Sequence, residues 1–560
     1  MNRRSFLKHT GTLVAGTVLA PATRLFAAVG SSADLVLRNG VIITMDDKLP
    51  VAEAMAVRGG RILTVGTNQQ IAGAIDRDTR VIDLSGKCVS PGLIDAHSHA
   101  APFGHMQLKF VILRPPKVNS FATLNEELAK AAKDRPAGEW IVGRGFDTLK
   151  EGRFPRRQEL DEAVPKHPLL IIHWGGQFGA ANTLALQKAD LLSANAEDPY
   201  GGKFLRDKQG VPDGVLIHYP AIYAVHEPAI SDAEQDECAV WGLKQFASSG
   251  VTCIHDNFAF TQTMQSYVRL ERAGALPCRL RLYPYVKNLQ VCQARLEKLR
   301  RYNGPLVRIQ GIKLAVDGYA LMYDVPPQRR HLAIPMHPQP LFEQIIATIH
   351  NAGLQVDVHA VGDKGVDWTL EAFAKAAGGA AACRERRHRI EHFPLYKLDT
   401  IRRAAELGVP VCQQPLFIEI KADVFRENLS AKSDPQIQKI CPMRTFLREG
   451  VHLAYGADVP AFPSHLPMDS IRCVMDRVTQ SRRKLDPEEK LSFMDAFRIH
   501  TLGSAYAAFD EKELGSLEAG KLADFVIWNR DLRNIRTGQD ALALKPEATF
   551  VGGKTVYGTA

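Results

Sequence analysis

Two histidines separated by one residue are the first feature with clear chemical potential. The segment Val89–Ala100 (VSPGLIDAHSHA) is an apolar run that ends in His97 and His99. Residues i and i+2 of a strand point to the same face, so the two imidazoles are predicted to lie side by side. Converging neutral imidazoles are common metal ligands, whereas a polar strand end with two solvated histidines is the simpler alternative. The downstream sequence must decide between these interpretations.

Four further residues at the ends of strand-like runs extend the pattern. Counting alternate positions places Lys313, His359, His392 and Asp458 on one face of their runs. Taken singly, each has a structural alternative, such as a buried core histidine, an aspartate that caps a helix, or a lysine at a rim. Taken together with the histidine pair, they predict a cluster of six metal ligands.

Alternating strands and helices would position these residues. Eight strand-like runs occur, the first ending at His97 and the others beginning near residues 251, 278, 307, 354, 388, 409 and 451. Helices are predicted over Leu341–Ala352, Val366–Ala377, Leu398–Leu407 and Phe493–Phe509. Eight β/α units predict an α/β fold of the TIM (β/α)8 barrel type, with catalytic groups at the C-terminal ends of the strands.

The two ends of the chain are predicted to be β-rich. Residues 33–88 and 510–560 alternate apolar residues with turn dipeptides, and we expect them to form one composite β-sandwich. The barrel would then span 89–509. Residues 101–243 fit the β/α alternation poorly and are predicted to be an insertion after the first barrel strand that covers the active site. One helix, Leu124–Lys133, is expected inside it.

The N-terminus has the features of an export signal. Residues 1–28 combine the pair Arg3-Arg4, a short and weakly hydrophobic stretch, and small residues near position 28. This pattern resembles a twin-arginine signal peptide, so the twin-arginine export machinery is an expected partner and the periplasm the expected location. An uncleaved basic anchor is the alternative. No later run is long enough to span a bilayer.

Composition excludes several classes of protein. With 45% hydrophobic and 23% charged residues, the 560-residue chain is globular and too long for a single ordinary core. Removing residues 1–28 lowers the formal charge from +9 to +5, which gives no support for a nucleic-acid groove. Nine cysteines without a C-x-x-C pair specify no disulfide. A homo-oligomer is compatible with the sequence but not indicated by it.

A family resemblance follows from five motifs taken in order. PGLIDAHSH, GIKLAVDG, VHAVGD, IEH and YGADVP resemble the amidohydrolase superfamily, in its YtcJ-like, N-substituted formamide deformylase-like branch. The C-terminal phrase HTLGSAYAAFDEKELGSLEAGKLADFVIW is similar to the closing segment of that family. The resemblance runs from about Ala33 to the C-terminus and implies a metal-dependent hydrolase with a barrel and a composite sandwich.

The resemblance also implies roles for the six candidate ligands. It assigns them to two divalent ions: His97, His99 and Asp458 to the more buried ion, His359 and His392 to the second, and Lys313, as a carbamate formed with CO₂, to both. Nitrogen and oxygen ligands make zinc the expected metal. A bridging hydroxide would attack the substrate carbonyl, and Asp458 would carry its proton to the leaving nitrogen. A single active metal without the carbamate stays open.

Weaker candidates for substrate contact lie outside this set. The branch has a histidine where this chain has Gln177, so substrate identity should not be inherited from its members. Gln177 and Asn182 in the insertion either contact substrate or serve as loop hydrogen-bonders. Asp317 either orients a ligand or caps a helix, and Tyr283 either lines a pocket or packs. Asp363, Tyr285 and His255 have a lesser claim.

The predicted activity is hydrolysis of a C–N bond in a small molecule, such as an amide or cyclic amide. One alternative is a metal-binding regulatory or ligand-sensing protein without turnover. Another is esterase or lactonase action at the same site, which differs only in the leaving atom.

Overall fold

A computed structural model describes residues 32–559, except 148–150, 226–228, 297, 319, 324, 326–332, 396, 424 and 426–438. The predicted signal peptide, residues 1–28, therefore lies outside the described residues. In the described part of the chain, no helix is long and apolar enough to cross a bilayer.

The strands of the described residues are numbered in chain order. They are β1 Leu35–Arg38, β2 Val41–Ile43, β3 Val51–Ala52, β4 Ala54–Arg58, β5 Arg61–Gly66, β6 Arg80–Asp83, β7 Cys88–Pro91, β8 Leu93–Ser98, β9 Val111–Ile112, β10 Ile141–Phe146, β11 Leu169–His173, β12 Phe178–Ala181, β13 Lys203–Arg206, β14 Pro212–Ile217, β15 Val251–Ala259, β16 Arg279–Pro284, β17 Val307–Ile309, β18 Gly311–Ala315, β19 Gln355–Ala360, β20 Arg389–His392, β21 Val411–Gln413, β22 Leu453–Tyr455, β23 Phe525–Trp528, β24 Pro546–Val551 and β25 Lys554–Gly558.

The helices are numbered in the same way. They are α1 Asn68–Ile71, α2 Ala100–Lys109, α3 Phe121–Ala132, α4 Arg157–Ala163, α5 Thr183–Lys188, α6 His218–Ala224, α7 Asp232–Ser248, α8 Thr261–Arg272, α9 Leu289–Leu296, α10 Gln339–Asn351, α11 Asp363–Ala377, α12 Ala380–Arg386, α13 Leu398–Leu407, α14 Leu416–Ile420, α15 Met443–Arg448, α16 Pro467–Asp476, α17 Phe493–Arg498, α18 Ser504–Ala507 and α19 Gly538–Leu542.

Strands from the two ends of the chain share one sheet. The six-stranded sheet has the order β25-β24-β23-β7-β2-β3, and a four-stranded sheet has the order β5-β4-β1-β6. Strands β7 and β23 pair antiparallel, with Trp528 opposite Cys88. The Trp528 indole N–H donates to Ser90 Oγ over 2.8 Å, and both side chains are buried. One apolar cluster draws on both sheets, including Leu37 and Phe550. Backbone hydrogen bonds therefore join segments more than 400 residues apart.

The middle of the chain has the predicted parallel α/β core. All eight strand-like runs are strands, and they form a four-stranded sheet (β17-β16-β15-β8) and a five-stranded sheet (β18-β19-β20-β21-β22). The run from 307 is interrupted at Gln310, which separates β17 from β18. A single bridge between Tyr285 and Lys313 links the two sheets at one junction. At the other, the Asp458 backbone N–H donates to the His97 carbonyl over 2.7 Å. The described residues thus show two linked sheets rather than one continuous ladder.

The predicted insertion contains a sheet that the sequence did not reveal. Its mixed six-stranded order is β13-β14-β12-β11-β10-β9. Glycines in these strands allow close backbone approach, since a Cβ at Gly179 would lie 2.9 Å from the Ile171 carbonyl oxygen. The predicted helix Leu124–Lys133 is present as α3, which begins after the capping residue Ser120.

The other predicted helices are found, with one difference. Helix α13 has the predicted bounds, Leu398–Leu407, and α10 and α11 begin two or three residues earlier than predicted. The predicted helix Phe493–Phe509 is divided into α17, a π-turn at Ile499–Gly503, and α18. A Cβ at Gly503 would lie 2.2 Å from the Leu453 carbonyl oxygen, so glycine allows the turn to pack directly on β22. Ser504 Oγ donates to the Ile499 carbonyl, five residues back, over 2.9 Å.

Candidate metal centre

All six predicted metal ligands line one cavity. It has a volume of about 450 Å³ and lies where the strands of both parallel sheets end. The six side chains that share it are His97, His99, Lys313, His359, His392 and Asp458. The structure therefore brings together residues that are up to 361 positions apart in the sequence. Cavities of this size hold a small molecule.

The histidine pair faces Asp458 with one nitrogen of each ring. Nε2 of His97 lies 3.5 Å from Asp458 Oδ1, and Nε2 of His99 lies 3.3 Å from the same oxygen. The opposite nitrogens face carboxylates, since His97 Nδ1 contacts Glu391 Oε2 and His99 Nδ1 lies 3.7 Å from Asp256 Oδ1. Histidines that bind metals are usually held in this way, with an acceptor behind the ring.

The other two histidines lie beside this pair. His392 Nδ1 is hydrogen bonded to Gln414 Oε1 over 2.6 Å, which leaves Nε2 of that ring for a ligand. The ring of His392 lies 5.0 Å from that of His97 and 4.4 Å from that of His359, centroid to centroid. Behind His359, Asp317 Oδ1 lies 3.4 Å from Nε2. Ligand atoms of His97, His392 and Asp458 all lie within 4.8 Å of one another.

The protonation of these histidines favours a cation among them. Burial, with the neighbouring His97, lowers the pKa of His392 to about 3, and burial with His392 beside it holds the pKa of His359 well below its usual range. Both are therefore neutral, the form that binds metals. Burial also lowers the pKa of His97, but Glu391 and Asp458 outweigh it and raise that pKa to about 9. The position between the two carboxylates thus attracts positive charge.

These donors fit a divalent transition metal. Imidazole nitrogens and a carboxylate oxygen are ligands that zinc and similar ions accept, and the ring orientations leave the required lone pairs directed at the cavity. His97, His99 and Asp458 would hold one ion. His392, whose ligand atom lies within 4.8 Å of those of His97 and Asp458, would hold either that ion or a second one with His359. His359 and Lys313 line the same cavity and would complete a larger set.

A buried row of charges lies beneath the cavity. Lys313, Asp357 and Arg389 are in register across β18, β19 and β20, so charges of opposite sign stand side by side. Lys313 Nζ donates to Asp357 Oδ1 over 2.8 Å, and Arg389 Nε donates to Glu391 Oε1 over 2.6 Å. Burial raises the pKa of Glu391, but Arg389, His97 and Lys313 together outweigh it and hold that pKa well below its usual range. The carbamate of Lys313 stays a prediction.

The segment that carries Asp458 is held from two sides. Asp458 has a positive φ of 52°, and its carbonyl accepts from the Phe462 N–H over 3.0 Å. From the insertion, Arg114 donates to the carbonyl oxygens of Pro460, Ala461 and Phe462. A Cβ at Gly145 would lie 2.6 Å from Arg114 Cγ, so glycine makes room for this side chain. The insertion therefore helps to position the loop that follows Asp458.

The candidates for substrate contact have different outcomes. Gln177 lines the cavity, and its contact with substrate stays a prediction. The structure corrects the expectation for Asn182, which is fully buried and caps α5, where its side chain accepts from Ala185 N and donates to the His167 carbonyl. Tyr283 is also corrected, because its hydroxyl is buried and donates to Gln355 Oε1. Asp317 accepts from Leu321 N and stands behind His359, so it orients rather than contacts substrate.

The three residues with a lesser claim do not reach the cavity either. His255 is buried against Arg389, and Tyr285 stacks on Phe258 with centroids 4.2 Å apart. Asp363 is the first residue of α11, after the N-cap Gly362, and its side chain accepts from the Lys364 backbone N–H over 2.9 Å.

Sequence reasoning missed the acceptors behind the histidines. Glu391 and Gln414 are fully buried; Glu391 immediately precedes the ligand His392 on β20, whereas Gln414 immediately follows β21, which carries no ligand. A signal for Asp357 was available, because it is two residues before His359 and therefore shares its face of β19. A buried carboxylate on the cavity face of a strand needs a cation or hydrogen-bond donors beside it, so Asp357 is a reason to expect charged partners on the neighbouring strands.

Replacing Gln414 by leucine is expected to weaken metal binding by about 10- to 100-fold, the range for residues that orient a ligand. His392 would lose the acceptor that fixes its ring while keeping its own ligand nitrogen. Competition with a chromophoric chelator measures the affinity. Gln187→Leu, on an exposed position of α5, is the matched control and should bind metal as the wild-type protein does. Equal affinities for all three proteins would contradict the assigned role.

Comparison with known proteins settles the family. A model of the amidohydrolase family matches residues 80–557. This chain belongs to the amidohydrolase family. The family and the enzyme class predicted from the five motifs, an amidohydrolase of the formamide deformylase-like branch, are confirmed.

Three similar proteins place this amidohydrolase more closely. It is 32% identical to Protein LONG AFTER FAR-RED 3 of Arabidopsis thaliana, over 94% of this chain and 92% of the relative. It is 28% identical to N-substituted formamide deformylase of Arthrobacter pascens, over 94% of this chain and 98% of that enzyme. A crystal structure of an uncharacterized metal-dependent hydrolase from Pyrococcus furiosus is 26% identical and has a TM-score of 0.67, covering 89% of this chain and 99% of the other.

Proposed function

We propose that this amidohydrolase uses a bound divalent metal, with zinc the expected ion, to hydrolyse a C–N bond in a small-molecule amide. The observation that carries the proposal is the single cavity lined by all six predicted ligands. Similarity to a metal-dependent hydrolase and to a formamide deformylase, each over most of its length, supports the metal and the bond type. We further propose that the two parallel sheets close into one barrel and that the terminal sheets form a composite sandwich. Export to the periplasm, expected from residues 1–28, is a separate proposal.

The protein contributes proton transfer and positioning. When bound, a divalent metal lowers the pKa of water and polarises a carbonyl group. Asp458 is the residue that would accept a proton from the attacking water and deliver it to the leaving nitrogen. Burial raises the pKa of Asp458, but His97 and His99 outweigh it and hold that pKa well below its usual range, so the carboxylate is ionised at neutral pH. Its loop is fixed by the Arg114 contacts described above.

The proposal for Lys313 includes reaction with CO₂. As an ammonium group it would repel a cation in the cavity, whereas a carbamate would supply carboxylate-like oxygens. Asp357 would then lose its nearest cation. Its other oxygen still contacts the Asn257 amide, and Arg389 Nε lies 3.7 Å away. The buried row therefore retains partners for Asp357 when Lys313 is modified, which is compatible with the carbamate. A second ion, held with His359 and His392, belongs to the same proposal.

Metal removal and replacement test the proposal. The purified protein should contain stoichiometric metal and hydrolyse members of a panel of N-formyl and N-acyl amides. Chelation should abolish turnover, and added zinc should restore it. Matched esters, tested in parallel, separate amidase from esterase or lactonase action. Binding of panel members without product in the metal-loaded protein would favour the regulatory or sensing alternative and overturn the proposal.

Lys313→Ala is expected to lower turnover by at least about 100-fold. Loss of a residue proposed as a metal ligand should cost at least as much as loss of a residue that only orients a ligand. The carbamate oxygens proposed as metal ligands would be lost, and Asp357 would keep only its contacts with Asn257 and Arg389. Acetate or propionate should restore part of the activity by replacing the carbamate. Intact-protein mass measurement should show one CO₂ adduct in wild type and none in the variant. Full activity of the variant, with no response to acetate, would exclude the carbamate.

A further inference from the structure

A buried tyrosine lies close to the histidine pair without lining the cavity. Tyr267, on α8, is fully buried. Its hydroxyl donates to Asp256 Oδ2 over 2.7 Å and accepts from the Ala101 backbone N–H over 3.2 Å. Asp256 lies on β15, and Ala101 lies in the first turn of α2, two residues after His99. One hydroxyl group therefore joins α8, β15 and α2 around His99.

The two oxygens of Asp256 face different partners. Oδ2 accepts from Tyr267, whereas Oδ1 lies 3.7 Å from His99 Nδ1 and accepts from the Phe258 N–H over 3.4 Å. In the parallel pair of β8 and β15, Asp256 is opposite Ser98, the residue before His99. The register of the two strands therefore brings the carboxylate next to that histidine. Its side chain is 1% exposed, so protein donors must replace the water it has lost.

Tyr267 acts here as a hydrogen-bond donor. Burial, with Asp256 beside it, raises the pKa of Tyr267 well above its usual range, so the hydroxyl keeps its proton at neutral pH. A donor on Oδ2 holds the carboxylate so that Oδ1 faces Nδ1 of His99. A ring with its proton on Nδ1 presents the lone pair of Nε2, and that atom lies 3.3 Å from Asp458 Oδ1. The arrangement therefore favours the form of His99 that binds a metal through Nε2.

We propose that Tyr267 is a positioning residue that acts on the metal through Asp256 and His99. The inference rests on the metal centre of the proposed function and extends it by one side chain that contacts no candidate ligand. By holding Asp256 and the start of α2 at once, the hydroxyl fixes both the carboxylate that orients the ring and the backbone that follows it. The start of α2 also packs directly on α7, since a Cβ at Gly242 would lie 2.0 Å from the Ala100 carbonyl oxygen.

Loss of this hydroxyl should weaken metal binding although every candidate ligand is kept. In Tyr267→Phe the ring stays buried, and Asp256 loses its 2.7 Å donor but keeps the 3.4 Å contact with Phe258. The His99 ring is then held less firmly. We expect the zinc affinity to fall about tenfold, the lower end of the range for residues that hold a ligand in place.

Metal titration of the apoprotein tests this without reference to turnover. Competition with a chromophoric chelator gives the zinc Kd, and the visible absorption of the cobalt-loaded protein reports the geometry of the ligands. Tyr455→Phe is the matched control, because Tyr455 is also fully buried and its hydroxyl contacts Met443 Sδ on α15 over 2.9 Å. Both variants lose one buried hydroxyl, so a general loss of packing would affect both alike.

A double variant tests whether the effect passes through the carboxylate. In an Asp256→Ala background, Tyr267→Phe should change the zinc Kd by less than about threefold, because the hydroxyl then has no carboxylate to hold. The comparison of the two phenylalanine variants stands by itself if Asp256→Ala does not fold.

Tyr267→Phe should weaken zinc binding about tenfold and shift the cobalt absorption bands, whereas Tyr455→Phe should match wild type in both measurements. Equal Kd values and equal spectra for Tyr267→Phe and wild type would overturn the positioning role and leave the proposed metal centre intact. A full tenfold loss in the Asp256→Ala background would also overturn it, since the hydroxyl would then act by another route. Failure of the wild-type protein to bind zinc or cobalt would overturn both the metal centre and this inference.

Discussion

Asp458→Asn is expected to lower kcat by about 10³-fold, within the range that general acid–base catalysis contributes. The amide keeps the size of the carboxylate and one oxygen that can face the histidines, but it cannot accept and return a proton. Hydrolysis of the best amide from the panel gives kcat. Metal analysis of the same sample separates loss of proton transfer from loss of metal.

The matched control for this substitution is Asp399→Asn. Asp399 lies in the first turn of α13 with a side chain that is 97% exposed, so its variant should keep kcat within about twofold of wild type. If Asp458→Asn retains its metal and loses less than tenfold in kcat, another residue must carry the proton. If it loses its metal as well, its main role is that of a ligand.

Arg389→Met is expected to destabilise the protein by about 3–5 kcal/mol, the usual effect of breaking a buried ion pair from one side. Arg389 is fully buried, and its guanidinium contacts Glu391, His255 and the Ala96 carbonyl. Methionine fills similar space but leaves the Glu391 carboxylate without its principal cation. Urea unfolding of the wild-type protein and the variant measures the loss.

A double variant distinguishes charge from packing. Glu391→Gln, combined with Arg389→Met, removes the unpaired carboxylate and should recover part of the lost stability. Arg402→Met is the control, because Arg402 is 56% exposed in its pair with Glu449 and should change stability by less than about 1 kcal/mol. Equal stability of Arg389→Met and wild type would contradict the assigned role of the buried row.

The positions of the ligands could be predicted because they follow from strand geometry. Five of the six ligands lie near or just beyond the end of an apolar run, Lys313 lies in the middle of β18, and parallel strands bring their C-terminal ends to one edge. His97, His359 and Asp458 therefore meet in one cavity although the sequence separates them widely. Helix α13 was equally predictable, because its apolar residues recur with helical spacing and Gly408 ends it in the left-handed conformation.

The remaining features depend on contacts that spacing does not encode. The insertion sheet includes GRGF and FGAA, whose small residues lack the alternation expected of a strand. Asn182 and Tyr283 were candidates for substrate contact because a polar side chain near a strand end can face either a cavity or the backbone. Only the fold shows that Asn182 caps a helix. The π-turn at Ile499–Gly503 likewise reflects packing on β22, a long-range effect.

The pairing of β7 with β23 has a consequence for synthesis of the chain. Until β23 is synthesised, β7 has one unpaired edge, and the pocket that receives Trp528 is empty. β7 ends two residues before β8, the strand that carries His97, so this unpaired edge would lie next to a segment of the candidate metal centre. A prematurely terminated product would expose a bare strand, which favours aggregation. Pairing with β23 therefore covers a strand edge beside the candidate metal centre.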